Sequence, residues 1–240
     1  MLQTKDLFDF SHSIAGPYLM GFSYPWQALA GIKQLILDLG KQLGSDYTEI
    51  SPTVWVHKTA TIAPTAYLGA PCIIGAGTEV RHCAFIRGSA LVGENCVVGN
   101  SVELKNVILF DNVQVPHYNY VGDSILGYKS HMGAGSLTSN VKSDKTLVVV
   151  KAPDEQIPTG LKKFGAMLGD FVEVGCNSVL NPGTVIGPHS NIYPTSCVRG
   201  VVPPDSIWKT GGNIVAKRQD CGGYLWENTL ALTASAAKPT

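Results

Sequence analysis

The sequence predicts an all-β chain, a left-handed parallel β-helix, on three observations. A bulky apolar residue stands at every sixth position from Val56, as Val56, Ile62, Leu68, Ile74, Val80, Ile86, Val92, Val98, Leu104 and Phe110. After a break the register returns as Leu168, Val174, Leu180, Ile186, Ile192 and Val198. Gly follows several of these, as in Leu68-Gly69, Ile74-Gly75, Val92-Gly93, Val98-Gly99, Val174-Gly175 and Ile186-Gly187. A period of about six fits neither a helix nor an alternating strand, and a fixed short period is the mark of a solenoid.

Each hexapeptide supplies one short strand and one turn, and three of them close a triangular coil. The apolar residue points inward and stacks on its equivalents above and below. Small residues such as Ala66, Cys72, Thr78, Ala84, Ala90 and Cys96 fit the narrow interior, and Gly permits a sharp turn. About five coils are expected from Ile50 to about Leu137, and about two more from Ala166 to Pro204. The competing architecture, a β-sandwich, needs turn signals every 8 to 12 residues, a spacing this period does not have.

The segments outside the repeat follow in order. Residues 1–49 do not obey the hexapeptide rule and form an N-terminal cap. Within it Trp26, Leu29, Ile32, Leu35, Ile36, Leu39 and Leu43 recur at spacings of three and four, which predicts one amphipathic helix from Pro25 to near Gly44 laid over the first coil. Residues 50–207 form the β-helix, left by a loop at 138–167. Residues 208–240 form an irregular arm and tail expected to reach towards a neighbouring subunit, and the flat faces predict a homotrimer.

Composition narrows the function. The formal net charge of zero gives no basic excess for nucleic acid. No secretory leader pattern and no apolar run of about 18 residues is present, so a cytoplasmic protein without a membrane partner is expected. Six cysteines, Cys72, Cys83, Cys96, Cys176, Cys197 and Cys221, show no CxxC pairing and read as reduced thiols.

Chemistry is expected where the repeat is interrupted, because an interruption sacrifices stacking. The first interruption, Val113 to Gly122, brings Pro116, His117, Tyr118 and Tyr120 into the register and predicts a slip there. The second is the loop from Thr138 to about Met167, with Asn140, Lys142, Lys145, Lys151, Lys162 and Lys163. Arg87 and Lys105 lie 18 residues apart, one full coil, which stacks two cations on one face unless Glu79, Glu94 or Glu103 neutralises them.

The runs Val98-Gly99-Asn100-Ser101-Val102-Glu103-Leu104-Lys105-Asn106, Val115 to Asp123, Met132 to Ser136 and Thr138-Ser139-Asn140 resemble the acetyltransferase domain of the bacterial bifunctional N-acetylglucosamine-1-phosphate uridyltransferase/glucosamine-1-phosphate N-acetyltransferases. Thr159 to Asp170 is closer to the archaeal sugar-1-phosphate nucleotidylyltransferase/acetyltransferase proteins, and the resemblance covers about residues 50 to 210. It implies an acetyl-CoA-dependent N-acetyltransferase acting on an amino-sugar 1-phosphate, glucosamine 1-phosphate first, with galactosamine 1-phosphate or a nucleotide-linked amino sugar as alternatives.

The same resemblance makes His117 the general base and places Gly133-Ala134-Gly135 against the thioester, with Gly133 and Ala134 supporting acetyl-CoA and Ala134 serving catalysis. It assigns Arg87, Lys105, Tyr120, His131, Asn140 and Lys145 to the sugar phosphate, and Cys176 and Pro194 to the pantetheine. Each has a plainer reading: a turn histidine for His117, a turn asparagine for Asn140, packing for Cys176 and Pro194. Three departures stand out: His131 replaces the family's asparagine, the loop is short so that Lys142 competes with Lys145, and 49 residues cannot hold the relatives' doubly wound nucleotidylyltransferase domain. No metal is implied, since a γ-carbonic-anhydrase site needs three histidines and only His82 and His117 come into question. The second functional reading is a sugar-phosphate or sugar-nucleotide binding subunit that has lost transfer and partners a separate nucleotidylyltransferase.

Overall fold

The computed structural model describes residues 2–218, and the predicted tail and Cys221 lie outside them. The chain is a three-faced parallel β-helix of the left-handed kind. The first face stacks Val54–His57, Cys72–Ile74, Ala90–Val92, the ends of Glu103–Leu109 and Tyr120–Leu126, Ala166–Leu168, Thr184–Ile186 and Val201–Val202. The second runs Thr61–Ile62, Glu79–Val80, Val97–Asn100, Gln114–His117, His131–Met132, Glu173–Val174, Asn191–Ile192 and Ser206–Trp208. The third takes Tyr67–Leu68, Phe85–Ile86, the beginnings of Glu103–Leu109 and Tyr120–Leu126, Leu137–Thr138, Val179–Leu180 and Cys197–Val198. Five levels precede the excursion, as expected, and three follow it on the second face.

The hexapeptide residues form the interior. Ile74, Val80, Ile86, Val98, Leu104, Leu168, Leu180, Ile186 and Val198 are fully buried, and the small positions Cys72, Thr78, Ala90, Ser124, Ser136 and Thr184 are buried beside them. Burial of each large aliphatic side chain stabilises by about 1.5–3 kcal/mol. Cys72 and Cys96 are among these small positions, and burial pushes each thiol up to about 12.

The frame slips elsewhere than the sequence predicts. Val115 to Val121 keeps the six-residue spacing, so the His117 segment is a regular turn. The slip falls between Leu104 and Leu109, because Leu109 and not Phe110 pairs with Val92. It recurs between Val121 and Leu126. At both places one residue in the left-handed region, Asn106 (φ 54°) or Asp123 (φ 48°), turns the corner between the third and first faces. Asn and Asp tolerate that conformation better than most residues. The excursion leaves from this same corner, so all the length variation of the coils is confined to one edge.

The first face is apolar on both sides. Its outward residues Ile73, Leu91, Ile108, Ile125, Met167 and Val185 are as buried as the inward ones. The N-terminal segment covers them, which corrects the expected end cap: it runs along the flank. Leu7 O accepts from Asp170 N–H at 3.0 Å and His12 O from Asp111 N–H at 3.0 Å. Phe8 stacks on Phe110 and Trp26 on Phe164, with centroids 5.1 and 5.6 Å apart. The single predicted helix is two pieces, a 3-10 helix Pro25–Gly31 and an α-helix Ile32–Gly40, the latter ending against Trp55 of the first coil.

Antiparallel strands flank the stack. Tyr47–Ser51 pairs with Val54–His57 at the bottom, and Ile214–Ala216 pairs with Ser206–Trp208 at the top. The described part of the arm, to residue 218, therefore folds back on its own last coil. The excursion carries a hairpin, Val149–Lys151 with Gln156–Pro158, and buries Val148, Val150 and Phe164.

Truncating the doubly apolar face should be costly: Ile125→Ala is expected to lower unfolding stability by about 2–5 kcal/mol in urea titrations. In thiol labelling of the folded chain at pH 8, Cys83, Cys176 and Cys197, which are exposed, are expected to react while Cys72 and Cys96 stay protected until unfolding.

Candidate active site

The turn between the second and third faces stacks one residue type of position from coil to coil. The carbonyls of His82, Asn100, His117, Ala134 and Cys176 accept from the N–H of Ser101, Tyr118, Gly135, Asn177 and Thr195, at 2.8–3.3 Å. His82, Asn100, His117, Ala134, Cys176 and Pro194 thus form a single column. The next residue in each turn is left-handed, including Tyr118 (φ 52°), Gly135 (φ 71°) and Thr195 (φ 58°), which is the conformation the corner imposes. The structure so brings together His117, Gly133, Ala134, Cys176 and Pro194, with His117 one level below Ala134.

His117 is exposed, and its imidazole has no hydrogen-bond partner among the described residues. Its backbone is fixed instead. The His117 N–H donates to Asn119 Oδ1 at 3.1 Å, and Asn119 Nδ2 donates to the carbonyls of Gly133 and Ser136 at 2.9 and 3.0 Å. Asn119 is buried, at 2% exposure, between Val102 in the level below and Ser136 in the level above. It ties the His117 turn to the Ala134 turn. Within the latter, Gly133 N–H donates to Val174 O at 2.7 Å and Gly135 N–H to His117 O at 3.0 Å. Only the Ala134 N–H has no acceptor among the described residues, which narrows the predicted donor loop to one amide. Cys176 and Pro194 are exposed above it, so the column offers an open track for an extended ligand.

Arg87, Lys105, Tyr120 and Asn140 come together at the far end of the third face. Arg87 and Lys105 follow the paired residues Ile86 and Leu104 and are therefore stacked. Both are neutralised: Arg87 Nη1 lies 2.8 Å from Glu103 Oε1, and Lys105 Nζ lies 2.9 Å from both oxygens of Asp123. Asp123 is nearly buried and also accepts from Asn106 Nδ2 at 2.9 Å and Asn140 Nδ2 at 2.6 Å. Asn140 Nδ2 reaches Tyr120 Oη at 3.1 Å. Burial, then the charges of Asp123 and Glu103, raises the Tyr120 phenol above its ordinary value. The guanidinium of Arg87 is held protonated by its hydrogen bond to Glu103.

Two predicted residues stand apart. His131 lies on the second face, where Nδ1 meets Glu173 Oε2 at 2.8 Å in the next level. Lys145 is an exposed left-handed residue in a turn near the start of the excursion, its N–H donating to Lys142 O at 3.1 Å, whereas Lys142 lines a cavity there. Asn119 and Asp123 were missed by sequence reasoning. The signal for Asn119 was an amide at a small interior position, and for Asp123 an acid one level above Lys105 and Asn106. His82 is two levels below His117, with Nδ1 2.9 Å from Thr65 Oγ1, and no cluster of three or more metal-ligating side chains occurs among the described residues.

The comparisons agree with this architecture. The profile of the GMPPB C-terminal domain family matches residues 71–202. The bifunctional sugar-1-phosphate nucleotidylyltransferase/acetyltransferase of Sulfurisphaera tokodaii is 31% identical over 185 residues, covering 75% of this chain and 46% of the relative. The bifunctional protein GlmU of Methanococcus aeolicus is 32% identical over 197 residues, covering 80% and 47%. The chain thus spans about half the length of the curated relatives it matches. Among solved structures, a hexapeptide transferase family protein from Anaplasma phagocytophilum is 14% identical with a TM-score of 0.39, covering 69% of this chain and 79% of that one. With its profile match extending over more than half of its 240 residues, the chain belongs to the GMPPB C-terminal domain family.

Proposed function

We propose that the chain is an acetyl-CoA-dependent N-acetyltransferase acting on an amino-sugar 1-phosphate, glucosamine 1-phosphate first, in the cytoplasm and as a homotrimer with sites between subunits. The observation that carries this reading is the column itself: an exposed imidazole one level from a free backbone amide, both fixed by Asn119. The names of the relatives, each bifunctional and one an acetyltransferase, support it.

The chemistry follows from these groups. The sugar amine attacks the thioester carbonyl carbon while neutral His117 takes the proton the nitrogen loses. Negative charge builds on the carbonyl oxygen, and the Ala134 N–H donates to it. The intermediate collapses by breaking the carbon–sulfur bond, and the departing CoA thiolate takes the proton His117 had accepted, leaving the amide, free CoA and the imidazole as it began. Base catalysis of this kind is worth about 10²–10⁴ in rate, and oxyanion stabilisation about 10²–10³. Gly133, Cys176 and Pro194 would line the path of the pantetheine. The phosphate would sit at Arg87, Lys105, Tyr120 and Asn140, with Lys145 reaching in from the excursion, and it must compete with Glu103 for Arg87.

The second reading, a sugar-phosphate binding subunit without transfer, is favoured by His131, which stands where the family has asparagine and is tied to Glu173 on the second face.

A thiol-release assay with acetyl-CoA and a panel of amino sugars and their 1-phosphates tests both. Turnover of glucosamine 1-phosphate is expected, falling about 10²–10⁴-fold in His117→Ala with the fold intact; binding without any CoA release would select the second reading. Glu103→Gln frees Arg87, so a several-fold lower KM for the sugar phosphate is expected, and an unchanged or higher KM would remove Arg87 from the phosphate site. Asn119→Ala leaves the donors and acceptors it served without partners, and urea titration is expected to show a loss of about 1–3 kcal/mol.

A further inference from the structure

The edge that carries Arg87 and Lys105 continues beyond them. Ser139, Asn181 and Arg199 follow the paired residues Thr138, Leu180 and Val198, one per level. Here the excursion leaves the prism, and a cavity of about 290 Å³ opens between its first residues and the edge, lined by Ser139, Lys142, Ser143, Asp144, Asn181 and Arg199 among others.

Charge pairing sets this place apart. Arg81, Arg87 and Lys105 each meet a carboxylate, Glu79, Glu103 and Asp123, within 2.9 Å. Arg199 meets none among the described residues. Its Nη2 donates to Asn181 Oδ1 at 3.1 Å. That amide is itself anchored, since Asn181 Nδ2 donates to Val198 O at 2.8 Å. The guanidinium is therefore positioned by a neutral group and keeps further N–H donors in the planar array that suits two oxygens of one phosphate. Lys142 adds a second cation, steadied by Asp144 at 3.3 Å. Two cations against one carboxylate leave the lining with an excess of one positive charge.

The rest of the lining selects among anions. No aromatic ring is present to stack a nucleobase, whereas the Ser139 and Ser143 hydroxyls and the Asn181 amide suit a polyol. The volume lies at the small end of ordinary ligand pockets. We propose that this cavity, where Arg199 and Asn181 on the edge face Lys142 on the excursion, binds a phosphorylated sugar with its phosphate on Arg199 and Lys142. It is separate from the Arg87, Lys105 and Asp123 cluster, which lies lower on the same edge, and it does not depend on acetyl transfer.

Isothermal titration of the full chain carrying Arg87→Gln, which weakens the sugar-phosphate site of the proposed function, with glucose 1-phosphate tests the assignment. Saturable binding is expected to remain, weakened about tenfold or more by added Arg199→Gln and several-fold by added Lys142→Gln. Inorganic phosphate is expected to bind more weakly, and glucose not at all. Absence of saturable binding in Arg87→Gln, or equal binding when Arg199→Gln is added, overturns the proposal, and tighter binding of uridine monophosphate than of glucose 1-phosphate overturns the sugar assignment. Unchanged thermal unfolding of the three variants shows that the losses are not those of the fold.

Discussion

A sheet face that is apolar on both sides has to be covered, and that requirement organises this molecule. The inward side of every face is satisfied by the stack itself. The outward side of the first face, from Ile73 through Val185, is not, and exposing six such side chains would forfeit about 1.5–3 kcal/mol each. The N-terminal segment and the base of the excursion meet the need from the two directions, joined where Trp26 stacks on Phe164. With that face occupied, only the other two are left for ligands and partners. The column of His117 and Ala134 lies on the corner those two share.

The three corners divide the labour. Two keep the six-residue spacing through every level, so their columns are straight. The third absorbs the shortened turns at Asn106 and Asp123 and the whole excursion. Variable loop length there places Asp123 behind Lys105 and Asn140 in the same cluster, at a site where a regular coil would have had only a turn. A straight corner and a corner of variable length thus lie at opposite edges of one face, with the strand from Tyr120 to Val121 between them.

Much of this was legible in the residues. The hexapeptide period fixes the interior almost residue by residue, and the excursion follows from the break in it. The paired outward residues of the first face were equally legible, since Ile73, Leu91, Ile108 and Ile125 recur once per coil just before an inward residue, a second period overlaid on the first. Reading only the inward period led to an end cap where a flank cover exists. The slip was misplaced because Phe110 fits the period by type, while pairing selects Leu109; side-chain character alone does not distinguish adjacent apolar residues. Asp123 stands 18 residues after Lys105, the spacing of one regular coil, but the coil there is 17 residues long, so Gly122 takes the level above Lys105 and Asp123 meets its ammonium from the corner.

The antiparallel strands at the two ends have a further consequence. A parallel coil presents the same hydrogen-bonding edge upward that it accepts from below, so an unprotected stack is a template for its own extension. Here Tyr47–Ser51 occupies the first face at the bottom and Ile214–Ala216 the second face at the top. Among the described residues each end of the stack therefore carries one strand running against the coil direction, and a further coil stacked there in register would find that face already paired.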